Sequence, residues 1–141
     1  MIILDTNVIS AVMRQREPQI ADWLNSLPSQ SVWTTSVCVY EIEFGLKSLP
    51  KGKRRTQLEA DFELALLEDL EGRILDFNAL SAQHATEISA RLKSAGRPVE
   101  IRDAMIAGTV AAWNATLATR NMKHFADAKI ALVNPWEIQT D

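Results

Sequence analysis

Three acidic side chains stand where chemistry is possible: Asp5, Glu41 and Asp103. Asp5 directly follows the apolar run Ile2–Leu4. In open parallel sheets, ligands bind beyond the carboxyl ends of strands. The same Asp5 begins Asp5-Thr6-Asn7, three residues of helix-capping type, so a cap role stands beside the chemical one. On a helical wheel over 37–49, Val37, Cys38, Phe44 and Gly45 flank Glu41, whereas Glu43 and Lys47 share the opposite, solvated side. A carboxylate among apolar neighbours must find a partner or take up a proton. Asp103 lies in the first turn of a late helix, where the macrodipole also favours it. The loop Gly96-Arg97-Pro98-Val99-Glu100 before it presents both Glu100 and Asp103 to a cleft, with Glu100 expected to be the more exposed.

Acids gathered in one place repel. At about 4 Å and an effective dielectric near 20, one pair costs roughly 4 kcal/mol. A divalent cation removes that cost, and hard oxygen ligands select Mg²⁺ or Mn²⁺ over zinc. His84 and His124 lack zinc-site spacing and are read as non-ligands. No nucleophile–base set accompanies the acids, so metal-assisted hydrolysis is the expected chemistry. Without metal, at least one of the three acids should have a raised pKa.

The intervening sequence must bring these residues together. Strands are predicted at 2–4, 32–35, 73–77, 116–119 and 130–133. Helices are predicted at 8–13, from Pro18 with Ile20, Trp23, Leu24 and Leu27 on one face, and at 37–49. Further helices are predicted along Leu58, Phe62, Leu66 and Leu70, at 79–95 with a stop at Gly96, and at 102–114. Short strands alternating with helices specify an α/β fold with a central, mostly parallel sheet of about five strands. Without repeat, linker or low-complexity stretch, residues 1–141 are read as one domain.

Composition fits a globular protein, with 47% apolar and 23% charged residues. No apolar run approaches the roughly 18 residues of a membrane span. The start lacks the basic region of a signal peptide. A single cysteine, Cys38, excludes an internal disulfide, so a reducing, cytoplasmic setting is expected. The net charge of −3 argues against a nucleic-acid coat protein but not against a nuclease, whose own carboxylates offset a local basic patch. Arg97 and Arg102 flank the Asp103 turn, and Arg120, Lys123 and His124 follow the fourth strand. Each is a candidate phosphate contact as well as ordinary surface charge. The densest basic run is Lys51-Gly52-Lys53-Arg54-Arg55, an RNA contact or a helix-entry loop. Trp23, Trp33 and Trp113 read as core or interface.

Four stretches in order resemble the PIN-domain nucleases, especially the VapC and FitB toxins of bacterial toxin–antitoxin pairs. They are Ile3-Leu4-Asp5-Thr6-Asn7-Val8-Ile9-Ser10; Ser36 through Gly45 around Glu41; Arg102-Asp103-Ala104-Met105-Ile106-Ala107; and Leu117-Ala118-Thr119-Arg120-Asn121 with His124-Phe125. The ending Asn134-Pro135-Trp136 resembles the FitB type. The resemblance implies a PIN-like three-layer α/β/α fold, Mg²⁺ or Mn²⁺ in an acidic pocket, and endonucleolytic cleavage of RNA. It implies Asp5, Glu41 and Asp103 as the acidic core, with Thr6 and Thr119 as hydroxyl neighbours. It also implies a homodimer and an antitoxin partner. Many members carry a fourth acid where this chain has Asn121, which offers a carbonyl oxygen without charge. One firm metal is then expected, and a second that needs the substrate phosphate.

A phosphorylated receiver would want acidic neighbours beside Asp5 and a lysine in place of Arg120. A phosphatase of the Asp-x-Asp type is excluded by Asn7. A non-catalytic binding module on the same fold is the remaining alternative, and Asn121 keeps it open.

Overall fold

The computed structural model describes residues 1–14 and 17–138. Its strands are β1 (Ile2–Leu4), β2 (Val32–Thr35), β3 (Ile74–Leu75), β4 (Thr116–Ala118) and β5 (Ala131–Val133). Its α-helices are α1 (Thr6–Arg14), α2 (Pro18–Asn25), α3 (Ser36–Lys47), α4 (Lys53–Leu64), α5 (Ala79–Ser94), α6 (Ile101–Ala112) and the single turn α7 (Met122–Phe125). The strands pair in the order β3-β2-β1-β4-β5, and every pairing is parallel. The expected mostly parallel sheet is thus parallel throughout. Among the described residues, no helix is long and apolar enough to cross a membrane.

The strands alternate their side chains between two cores, as a pleat requires. Leu4, Val32 and Ala118 join α1, α2 and α4 on one face. Ile3 and Leu117 join α5 and α6 on the other. This is the three-layer α/β/α arrangement. α3 serves both layers, with Ile42 and Leu46 in the first core and Val37 and Cys38 in the second.

Local chemistry sets the helix ends. The Thr35 hydroxyl accepts from the Cys38 N–H at 3.1 Å and caps α3. Asn78 caps α5 by accepting from the Ser81 N–H at 2.9 Å. Gly96 takes a φ of 73°, and the Gly96 and Arg97 amides close on Lys93 and Leu92, ending α5 as expected.

Three elements differ from expectation. The helix expected to run unbroken to Leu70 changes at Ala65 into a π-turn, Ala65–Asp69, in which the Leu70 amide reaches the Ala65 carbonyl at 3.0 Å. Eight residues at about 100° each would set Leu70 roughly 80° away from Phe62. The extra residue of a π-turn removes about that offset, so both Phe62 and Leu70 stay buried. The strand expected at 73–77 keeps only Ile74–Leu75, because the Phe77 amide bonds the Ser36 hydroxyl rather than the sheet. The turn α7 was unmarked in the sequence, since one turn is too short to show a period; buried Phe125 anchors it.

α5 and α6 approach closely at Gly108. A Cβ there would lie 2.5 Å from the Ser81 carbonyl oxygen and 2.7 Å from Ala85. Because Ser81 presents backbone, the helices themselves would have to separate. Gly108→Ala is therefore expected to lower stability by about 1–3 kcal/mol, read as a reduced urea midpoint. An unchanged midpoint would contradict this packing.

Candidate active site

β1 is the sheet's turning point: β2 and β3 continue to one side of it, and β4 and β5 to the other. The loops leaving β1 and β4 therefore diverge and leave a crevice at their carboxyl ends. Asp5 leaves β1 there, and Thr119 leaves β4 beside it.

Asp5 is 5% exposed. Its Oδ2 accepts from the Thr119 hydroxyl at 2.7 Å and from the Asn7 amide at 3.2 Å. Its Oδ1 accepts from the Thr6 backbone N–H at 2.9 Å. Asp5 thus does both things its position suggested: it bonds the first amide of α1 and faces the crevice. Asn7 also donates to the Thr119 hydroxyl at 3.3 Å, and its Oδ1 accepts from the Arg120 N–H at 2.9 Å. The Thr119 hydroxyl further accepts from the Asn121 N–H at 3.0 Å. Asn7 therefore ties the exit of β1 to that of β4. Its part in the site was not apparent in the sequence, where it read only as a cap type.

Glu41 projects from α3 toward Thr6, whose hydroxyl donates to Glu41 Oε1 at 3.0 Å. The Arg102 Nη1 lies 3.8 Å from Glu41 Oε2. Glu41 is half-buried, as the wheel required, but two of its four expected flanks, Phe44 and Gly45, are exposed rather than core. Phe44 is 59% exposed and stacks on Tyr40, with ring centroids 5.9 Å apart. The other two flanks, Val37 and Cys38, are buried as expected, and α1 adds Thr6 against the carboxylate.

Asp103 sits in the first turn of α6 but does not cap it. Glu100, exposed as expected, holds that position: its Oε2 accepts from the Arg102 and Asp103 amides at 3.0 and 3.2 Å. This leaves the Asp103 carboxylate free to face the crevice, where His124 Nδ1 lies 3.5 Å from Oδ2.

Two of the three acids show the expected strain. Burial raises the Glu41 carboxyl above its ordinary range, and the charge of Asp5 adds to it against the Thr6 hydrogen bond. Burial raises Asp103 too, opposed by His124 and reinforced by Glu100 and Asp5. Cys38 points into the same space, with Sγ 3.8 Å from Asp5 Oδ1. Burial, and then the Asp5 charge, push its thiol up to about 12. Single ligand atoms of Asp5, Cys38 and Glu41 lie within 4.8 Å of one another, and no such group among the described residues contains His84 or Asp103. The carboxylate oxygens of Asp5 and Glu41 are hard donors, the kind that suits a hard divalent cation.

The predicted basic residues divide. A cleft of about 320 Å³ is lined by Arg97, Glu100, Asp103, Lys123 and His124. Arg97 also pairs with Asp127 at 3.4 Å. Arg120 is turned over the Trp136 ring at 4.9 Å, and Trp136 donates to Glu17 at 2.8 Å, so the Asn134-Pro135-Trp136 ending is strapped to the β4 exit. Asn121 is exposed. Of the basic run at 51–55, Arg55 pairs within α4 with Glu59 at 3.1 Å.

A crevice of this kind, with acids at the exit of β1 and on α3 and α6, defines a class. The chain belongs to the PIN-domain family, matched over residues 2–130. Its relatives include the VapC ribonuclease Y4jK of Sinorhizobium fredii, 33% identical over 97% of this chain and 99% of that protein. Toxin FitB of Neisseria gonorrhoeae is 35% identical over 96% of this chain and 99% of that one. Among solved structures, FitAB bound to an IR36 DNA fragment matches with a TM-score of 0.88 at 34% identity, covering 99% of each chain.

The raised carboxyls carry a stability consequence. A carboxyl whose folded pKa lies above its unfolded value binds its proton more tightly in the fold, so stability is fully present below the unfolded pKa and is lost as pH rises through the folded pKa. In the presence of chelator, Glu41→Gln is expected to melt higher than the unsubstituted protein at pH 7.5, with the gap closing as pH falls toward 4. A gap that stays constant with pH would contradict the assigned strain.

Proposed function

We propose that this protein is a metal-dependent endoribonuclease and the toxin of a toxin–antitoxin pair. The observation that carries this reading is the approach of Asp5 to Glu41, with Asp103 near enough for its charge to act on Glu41 and for the charge of Asp5 to act on it, and with burial raising both Glu41 and Asp103. Asp5 and Asp103 would be the principal ligands of Mg²⁺ or Mn²⁺, and Glu41 would ligate directly or position the attacking water. When bound, the cation supplies Lewis acidity toward the scissile phosphodiester and the attacking water.

The chain's own groups set the geometry. Thr119, Asn7 and the Thr6 amide hold both Asp5 oxygens, so the carboxylate enters the reaction in one orientation. Thr6 holds Glu41 Oε1 and leaves Oε2 toward the crevice, where it can take the proton lost by water. The water oxygen joins phosphorus, one phosphoester bond breaks, and the leaving oxygen takes a proton. Arg97 and Lys123 line the cleft beside Asp103 as phosphate contacts, Arg102 offers another at the rim against Glu41, and Arg120 does so with its position fixed by Trp136. Asn121 stands where many members of the family carry a fourth acid, so one metal would be held firmly and a second would need the substrate phosphate.

An antitoxin partner and a homodimer complete the reading. Tyr40, Phe44, Leu64 and Leu67 on α3, α4 and the π-turn are large, apolar and exposed, which supports covered surface in an assembly. The relative solved as FitAB on DNA supports the same view. The purified protein should cleave RNA with Mg²⁺ or Mn²⁺ and stop on chelation. Asp5→Asn should fold normally and lose at least ~100-fold in cleavage rate. Full activity in that variant would rule out this assignment.

A further inference from the structure

Arg102 occupies an unusual place at the rim of this crevice. Among the described residues it is the one permanently charged cation within 4.0 Å of a site carboxylate; the contact of Asp103 is with His124. Its position is set from two sides. Glu100 Oε1 holds the guanidinium through Nε at 3.3 Å, while Glu100 Oε2 is committed to the α6 amides. Nη1 is left to reach across to α3, 3.8 Å from Glu41 Oε2. Glu41 Oε1 is already taken by Thr6. The guanidinium therefore covers the one Glu41 oxygen left open for a ligand.

We infer that Arg102 is a built-in, displaceable counter-ion: it neutralises Glu41 in the metal-free protein and competes with the divalent cation for Glu41 Oε2. This rests on the metal-site reading proposed above. The pair is suited to exchange. The Arg102 side chain is 44% exposed, and a long, solvent-facing ion pair is weak. A dication at ligand distance carries twice the charge and sits closer, so it prevails. Displacement leaves the guanidinium at the crevice mouth, free for the phosphate contact already assigned to it. Glu100 serves as its tether, which explains why an exposed acid next to the site is bonded so fully.

The test is Mn²⁺ binding to RNA-free protein at low salt, followed by the electron paramagnetic resonance signal of free Mn²⁺. Arg102→Ala is expected to bind Mn²⁺ about three- to tenfold more tightly than the unsubstituted protein. Arg102→Met, which keeps the apolar stem, should do the same. Lys47→Ala removes equal charge from the exposed end of α3 and should change affinity less than about twofold. If the Arg102 variants bind no more tightly, or Lys47→Ala tightens binding as much, the counter-ion role is overturned while the metal site stands. If the unsubstituted protein and every variant fail to bind Mn²⁺, the metal reading falls and this inference falls with it.

Discussion

Like charge gathered in a partly dehydrated crevice is the constraint around which this fold is arranged. Folding opposes the gathering, and the structure offsets the opposition unequally. Asp5, the most buried acid, receives hydrogen bonds on both oxygens. Glu41 has one good hydrogen bond and one long, exposed ion pair. Asp103 has only a histidine at the limit of contact. Burial raises the carboxyls of both Glu41 and Asp103. A bound cation would relieve what the protein leaves unrelieved.

Helix capping is where fold and site meet. Asp103 occupies a turn that favours a carboxylate for structural reasons, and the cap is delegated to Glu100, three residues earlier. The cost of a fixed backbone terminus is met by one acid, and the other is free for ligands. On α3 the same division holds: Thr35 caps, and Glu41, almost two turns on, faces α1. Asn7 closes the arrangement by bonding both Asp5 and the β4 exit. Parallel strands alone would bring these loops near one another; Asn7 fixes how near.

The order of elements was legible because short β-branched runs and helical apolar periods alternate cleanly. All five strands lie where the apolar runs are. The π-turn was not legible, since no local signal distinguishes it from continued α-helix; it exists to bring Leu70 into phase with Phe62. At the site, Glu41 stood out by its wheel position even though Phe44, one of its supposed core flanks, is exposed. A wheel registers polarity and angle but not which neighbouring element covers a face. The roles of Asn7, Cys38 and Glu100 were illegible for a related reason. Each depends on a contact made possible by the tertiary arrangement of β1, α3, α6 and the β4 exit.

The central claim is that Asp5, Glu41 and Asp103 together hold a divalent cation. Anomalous diffraction from crystals grown with Mn²⁺ tests it most directly. The account predicts a manganese peak in the crevice, with Asp5 and Asp103 carboxylate oxygens as ligands and Glu41 bound directly or through water. A crevice without a peak under saturating Mn²⁺, or a peak held by other residues, would contradict it.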